Sequence, residues 1–404
     1  MVATDALRRV GTRFRAITAL RKPSPAPRAV VISNVGSFGG GGAVGFRDMV
    51  LAIREKRPDL EVVAVCPWRG SLATNFARQG VRTKITFIPG WAFLERSRTP
   101  RIEALIGAIP RGVLLLAGIV PAVLLLIRLR PTVVLTNTMV IPAHAIAAKL
   151  LGIPHFWMVR EFGRDDHRLQ FLLGHHRTIR LIGQLSEAVI CNSHAVESAH
   201  LAIAPKMTTS VVYPVVDTPL GTPPERHPGE PMRAVLVGYL SQAKGQHLAV
   251  EAVAIARKRG VDIELTLVGG GNQTPLRTLA QRLGVEDLVN IHGPTRDLGP
   301  YWSAAHVGLM CSQREAFGRV TVEAMRAGLP VCGTNAGGTP EIIDPGVNGL
   351  LSPAGDAAAL ADNMMALESD EDLRHNLALR AVETVQRFQR DRHDDELATI
   401  LGLR

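Results

Sequence analysis

Glu315 and Glu323 are separated by seven residues. They bracket a tight turn, Ala316-Phe317-Gly318, and the start of a helix expected over about Val320–Ala327. Gly328 suits the C-terminal cap of that helix and Pro330 the opening of the next strand. A helix that begins directly after a turn points unpaired backbone N–H groups outward, which favours a diphosphate or sugar oxygens. Glu315 precedes the helix and Glu323 lies a turn inside it, so the two carboxylates can face different parts of one extended ligand. One suits the hydroxyls of a sugar and the other those of a ribose, since an ionised carboxylate only accepts hydrogen bonds.

A second candidate is the run Val35-Gly-Ser-Phe-Gly-Gly-Gly-Gly42, which follows the strand pattern Ala29–Asn34 and precedes a helix pattern from about Ala43 to Lys56. Strand, glycine loop and helix open a βαβ unit. Glycines 39–42 permit close approach of backbone to a ligand, which bulky side chains would block.

These residues need a scaffold, and the pattern around them describes one. Glu61–Cys66, Lys84–Ile88, Thr132–Thr136, His155–Val159 and Ala188–Cys191 read as further strands, with helical patterns between most of them. Strands alternating with helices mean a parallel sheet covered on both faces. Residues 214–231 are crowded with Pro and Gly and read as a linker. The pattern then restarts: strand Ala234–Val237, helix Gln246–Arg259, then strands Glu264–Val268, Val289–His292, Val307–Met310 and Leu329–Gly333. The expected organisation is a basic lead-in (1–27), one Rossmann-like domain (28–213), the linker (214–231), a second such domain (232–385) and a helical tail (386–404). Two doubly wound halves imply a crevice between them, with ligands at the carboxyl ends of the strands.

Composition narrows the partners. Hydrophobic residues make up 46% and charged residues 20%, the balance of a globular protein. The net charge of +10 is uneven: residues 1–213 carry 28 Lys and Arg against 12 Asp and Glu, and 214–404 carry the remaining 18 against 24. A basic first half suggests an anionic partner. With only 4% aromatics and no basic–aromatic interleaving, nucleic acid fits poorly, and an anionic membrane surface or a phosphate-bearing acceptor fits better. Cys66, Cys191, Cys311 and Cys332 lack the spacing of a zinc knuckle or redox pair and read as reduced, mostly buried thiols. The first 22 residues carry no apolar h-region, so a cytoplasmic location is expected. The apolar stretch Val113–Ile127 is 15 residues long, against roughly 20 for a membrane span. It reads first as a buried crossover helix. The second reading is a helix partly docked on a bilayer, with Arg101, Arg111, Arg128 and Arg130 at the headgroups.

The segment Arg314–Val331 resembles the E-x7-E signature of family 4 glycosyltransferases, which have the GT-B fold. Other motifs stand around it in order. Val237–Gly245 is similar to the family's vGRlspeKG strand and loop, Leu267–Gly271 to its ivGdG turn, Asn335–Glu341 to its GGxxE loop and Val347–Leu350 to the G.nGll that follows. The resemblance covers essentially all of 232–355. It implies an α/β protein of two Rossmann-like doubly wound parallel-sheet domains that uses a nucleotide-diphosphate sugar as co-substrate and needs no cofactor. On this likeness Lys244 neutralises the donor diphosphate, Glu315 touches the transferred sugar and Glu323 holds the ribose. Gly238, Gly269, Ala316, Phe317, Gly318 and Arg319 line the donor, and Gly40, Gly41 and Gly42 let the backbone approach it.

Two departures matter. The family commonly has Arg where this chain has Tyr239, so one arm of the phosphate clamp is missing or comes from elsewhere, with Arg319 a candidate. The family often has His after the strand that follows Gly-Ile-Pro, where this chain reads Val159-Arg160-Glu161-Phe162. Glu161 is therefore a candidate to position the acceptor hydroxyl, and Arg160 to bind the donor or an acceptor phosphate. A structural salt bridge is the alternative for this pair. Asn137 and Thr138 are further acceptor-side candidates. His144, His175, His176 and His194 read as packed or solvated. No metal site is expected, since Asp165 and Asp166 are adjacent and face apart in an extended segment. The resemblance implies metal-free transfer with retention of configuration. The expected function is addition of a sugar to a glycan or lipid-linked acceptor of the cell envelope, by an enzyme peripheral on the cytoplasmic face of the membrane. A soluble small-molecule acceptor, or a non-catalytic nucleotide-sugar-binding subunit, stays open.

Overall fold

The apolar run Arg28–Ser33 forms strand β1, buried along its length except at Arg28. A strand of that kind needs neighbours on both edges and cover on both faces. In a computed structural model, which describes residues 27–94, 101–167, 169–227 and 229–402, β1 has both. The basic lead-in falls outside the described residues apart from its last position. β1 pairs in parallel with β2 (Glu61–Cys66) and with β5 (Val133–Asn137). With β3 (Arg82–Ile85), β6 (His155–Val159), β8 (Ala188–Cys191) and β9 (Thr209–Val211) the order is β3-β2-β1-β5-β6-β8-β9. The strand expected at Lys84–Ile88 lies earlier because its one partner, β2, ends at Cys66, which is opposite Ile85.

Two cores flank this sheet. On one face α1 (Gly41–Lys56) and α2 (Ser71–Arg78) contribute Phe46, Met49, Ile53, Leu72 and Phe76. On the other, α3 (Arg101–Leu129) and α4 (Ala143–Leu151) contribute Ala122, Leu126, Ala147 and Leu151. A separate antiparallel pair, β4 (Ala92–Leu94) with β7 (Leu169–Phe171), has no counterpart in the sequence reading. The short helix α5 (Arg164–His167) contains the two adjacent aspartates, and Asp166 accepts the Phe162 and Gly163 N–H groups at 2.8 Å each. The segment is thus helical rather than extended. Helices α6 (His175–Leu185) and α7 (His194–Leu201) complete the run.

The apolar stretch 113–127 lies within α3, a helix of 29 residues. The reading as a buried crossover helix holds for one face only: Ala122 and Leu126 are inaccessible, whereas Val113, Leu116, Val120 and Leu124 are exposed.

By packing, the chain divides into two units. One holds the described residues up to Tyr213 together with those from Asp391 onward, and the other is Pro214–Arg390. Leu397, Ala398 and Leu401 of the returning segment, largely helix α14 (Arg390–Ile400), join the α1-side core. In the second unit a parallel sheet runs β12-β11-β10-β13-β14-β15. Its strands are β10 (Met232–Val237), β11 (Ile263–Val268), β12 (Val289–His292), β13 (Val307–Met310), β14 (Val331–Thr334) and β15 (Gly349–Ser352), the last not expected from sequence. Helices α8 (Gln246–Lys258), α9 (Thr274–Leu283), α10 (Gly299–Ala304), α11 (Arg319–Arg326), α12 (Ala357–Ser369) and α13 (Glu371–Thr384) connect and cover it. The described residues of 214–231 carry no helix or strand, and the segment is anchored to α11. Arg326 Nε donates to the Thr218 carbonyl at 2.6 Å, Gly221 N–H to the Arg326 carbonyl at 2.7 Å, and Val215 and Val216 are buried.

Candidate functional site

In both sheets the strand order reverses at the first strand, between β1 and β5 in one unit and between β10 and β13 in the other. The loops that leave such a pair of strands diverge, which opens space at their carboxyl ends. The sequence-singled residues lie at these two places.

In the second unit Lys244 ends a single 3-10 turn after β10, and Glu315 lies in the loop between β13 and α11. The loops are tied by a backbone bond from Gln313 N–H to the Ala243 carbonyl at 3.0 Å. Gly245 has φ +72, and a side chain there would run into the Cys311 backbone, so only glycine lets the loops meet. The result is direct contact: Lys244 Nζ donates to Glu315 Oε2 at 2.6 Å. Ser312 Oγ donates to the same oxygen at 2.9 Å. Glu315 is mostly buried, whereas the Lys244 side chain is 38% exposed.

Helix α11 follows at once. Its N-cap, Gly318, has φ +99 and the helix lacks a side-chain cap, as an anion-receiving end requires. Glu323 sits on this helix, largely buried, and burial raises its carboxyl pKa above the ordinary value, with Arg319 opposing. Phe317 is buried in an edge-to-face contact with Phe388, so its side chain anchors the turn and only its backbone is available to a ligand. Ala316 adjoins it. The Arg319 guanidinium, a candidate for the missing arm of a phosphate clamp, instead donates to the Val215 carbonyl and lies 3.9 Å from Glu323. Gly238 and Gly269 are packed backbone to backbone: a Cβ on Gly269 would fall 2.7 Å from the Gly238 carbonyl carbon. Tyr239, which follows Gly238, is 67% exposed.

In the first unit three segments converge. Gly40, Gly41 and Gly42 are exposed at the uncapped start of α1, and a Cβ on Gly40 or Gly42 would meet nothing within 4 Å. Asn137, the last residue of β5, donates to the Gly42 carbonyl at 3.1 Å and accepts from Arg160 Nε at 3.1 Å. Arg160 Nη2 also reaches the Gly45 carbonyl at 3.2 Å, in space that any side chain at Gly45 would occupy.

Glu161 is buried, with both oxygens engaged. One accepts the Thr138 hydroxyl and the Met139 N–H, and the other accepts the Arg160 N–H at 2.9 Å. It thereby ties the end of β6 to the end of β5. Thr138 has φ +82, rare for a β-branched residue, and is held there from three sides. Its hydroxyl meets Glu161, its carbonyl accepts from the Trp157 indole at 2.7 Å, and its N–H donates to Met158.

His144 is fully buried and burial depresses its pKa to about 4, while His194 is exposed beside Glu197. His176 is exposed and His175 lies against it, ring centroids 6.0 Å apart. The four cysteines are buried free thiols.

Sequence reasoning passed over several residues that build the site. Gln246, buried, donates to the Tyr239 carbonyl and accepts the Ser241 N–H, stapling the Lys244 loop. Gly337 and Gly338 press on the Glu315–Phe317 turn, where a Cβ on Gly338 would lie 2.6 Å from the Ala316 carbonyl oxygen. The signal for these two was the GGxxE likeness, which carried no role until the loops were seen in contact.

Two doubly wound parallel sheets, one in each unit, define a GT-B fold. The solved structure of HepE from Anabaena, in complex with UDP-glucose, is similar over 93% of this chain and 99% of that one, with a TM-score of 0.71 at 22% identity. Residues 222–384 match the family model for glycosyl transferases group 1. N-acetyl-alpha-D-glucosaminyl L-malate synthase of Bacillus anthracis is 35% identical over 142 residues, 35% of this chain and 37% of that protein. A putative colanic acid biosynthesis glycosyltransferase of Salmonella typhimurium is 31% identical over 185 residues, 43% of this chain and 46% of the relative. The chain thus spans less than half the length of these curated relatives.

Proposed function

We propose that the chain is a metal-independent, retaining glycosyltransferase of family 4. It takes a sugar from a nucleotide diphosphate to a hydroxyl of a glycan or lipid-linked acceptor in cell-envelope polysaccharide synthesis, with the second unit holding the donor and the first the acceptor. The observation that carries this is the contact of Lys244 with Glu315 beside the uncapped start of α11, inside the stretch that matches the family model. An ammonium and free amides suit a pyrophosphate, and a carboxylate beside them suits sugar hydroxyls. In the reaction the bond from C1 to the diphosphate oxygen breaks and the acceptor oxygen bonds to C1 on the same face. The acceptor's proton passes to the departing phosphate oxygen, whose charge Lys244 offsets. The colanic acid relative's name supports an envelope acceptor.

A second reading, a soluble small-molecule acceptor, has two observations in its favour. The Bacillus anthracis relative is named for L-malate, a small dianion, and Arg160 lies at the β6 end of the basic unit. Incubation of the purified chain with labelled nucleotide sugars, in chelator, against envelope glycolipids and small hydroxy acids tests both. Transfer to the lipid-linked acceptors with unchanged anomeric configuration is expected. Transfer to the small acids alone would favour the second reading, and absence of nucleotide-sugar binding would defeat both.

A further inference from the structure

Among the described residues one helix, α3, is long and apolar enough to cross a membrane. Its segment Gly112–Leu129 has a mean hydropathy of 2.5, yet only 22% of it is buried. The inner face is committed to the fold: Ala122, Leu126 and Leu129 pack with Val30, Ile32 and Val63, and Leu115, Ile119 and Val123 flank them. The outer face is apolar as well. Val113, Leu116, Val120 and Leu124 are 60%, 66%, 61% and 61% exposed, and Ile127 continues the row. Spacings of three, four, four and three put them in one stripe, about 21 Å long at the helical rise. A surface helix facing only water keeps that side polar. Because the inner face cannot leave the core, α3 cannot serve as a free span, but its outer face can enter an apolar medium that lies against it.

The charges around the stripe select the medium. No Asp or Glu occurs between Glu103 and Glu161. Arg128 and Arg130 are exposed at the end of the helix. At the other end Leu172 approaches Gly112, and Leu173, His176 and Arg177, which follow it closely in the chain, are exposed. An apolar stripe flanked in the chain by Arg111 and Arg128, with no carboxylate between them, matches acyl chains bordered by anionic headgroups. We propose that α3 docks this chain, lying along its outer face, into the headgroup–acyl boundary of an anionic bilayer. The inference deepens the lipid-linked-acceptor reading, but its test requires no sugar.

The experiment is flotation of the full chain with vesicles of phosphatidylcholine alone or mixed with phosphatidylglycerol. The chain is expected to float with the mixed vesicles. Leu116→Ser combined with Val120→Ser and Leu124→Ser should lower partitioning at least about tenfold, and Arg128→Gln with Arg177→Gln about threefold. Both variants should keep the wild-type circular dichroism spectrum and nucleotide-sugar binding. Should the triple variant not fold, Leu116→Gln alone is expected to lower partitioning about threefold. Failure of the wild type to float, or equal flotation of the stripe variant, overturns the proposal. So does a soluble dimer that the stripe substitutions dissociate, since the stripe would then join two copies. Loss of nucleotide binding in the wild type itself would count against the donor site and leave the docking result standing.

Discussion

Lys244 Nζ and Glu315 Oε2 meet at 2.6 Å although they stand 71 positions apart in the chain. The lysine is partly solvated, so the pair adds only about 0–1 kcal/mol to stability. Its weight falls on chemistry instead. Lys244→Ala and Glu315→Gln are each expected to lower sugar transfer at least about 10²-fold while shifting the melting temperature little. Turnover within about twofold of wild type in both variants would remove these residues from the site.

Glu323 carries a stability cost with a definite pH signature. Burial raises its carboxyl pKa above 4.5, so the folded chain binds a proton that the unfolded chain has released once pH exceeds that value. Stability therefore falls as pH rises through this window. Glu323→Gln should melt higher than wild type at neutral pH, and the advantage should vanish near pH 4. Thermal melts against pH read this directly. Nucleotide-sugar affinity should fall in the same variant, since an amide replaces the acceptor proposed for the ribose.

Gly337 and Gly346 both have positive φ, +61 and +80, but their surroundings differ. A Cβ on Gly337 would fall 2.9 Å from the Glu315 nitrogen, whereas one on Gly346 meets nothing within 4 Å. Gly346→Ala should cost only about 1 kcal/mol of backbone strain. Gly337→Ala should cost about 2–4 kcal/mol and displace Glu315, reducing transfer as well. Denaturant melts of the two variants give the comparison.

Glu161→Gln turns an acceptor-only group into one with a donor face. Three donors converge on the carboxylate, so the amide N–H₂ must confront at least one of them, at a cost of about 1–3 kcal/mol. The melting temperature should fall by several degrees and transfer should fall with it, because the strained Thr138 turn loosens. Loss of transfer with an unchanged melting temperature would instead give Glu161 a direct role at the acceptor hydroxyl.

Much of this was legible along the chain because it depends on near neighbours. The strand–glycine–helix opening at Ala29–Lys56 and the turn before α11 are local patterns, and the structure differs from them by only a residue or two. Short or edge elements were less legible. β4, β7 and β9 have three residues each, too few for a periodicity, and β15 is a sheet-edge strand; all four exist through their partners.

Residue types and spacing by themselves determined the alternation that makes two parallel sheets, the uncapped helix start between two glutamates, and a first half rich in cations. Tertiary structure alone decided that Lys244 rests against Glu315, that Glu161 has both oxygens taken by the ends of two strands, and that α3 has, among the described residues, a partner on only one of its apolar faces. Local pattern sets which backbone shapes are cheap and which faces are apolar. What meets a side chain across 71 residues, or whether anything covers an apolar stripe, depends on loop closure and packing that no window of sequence contains.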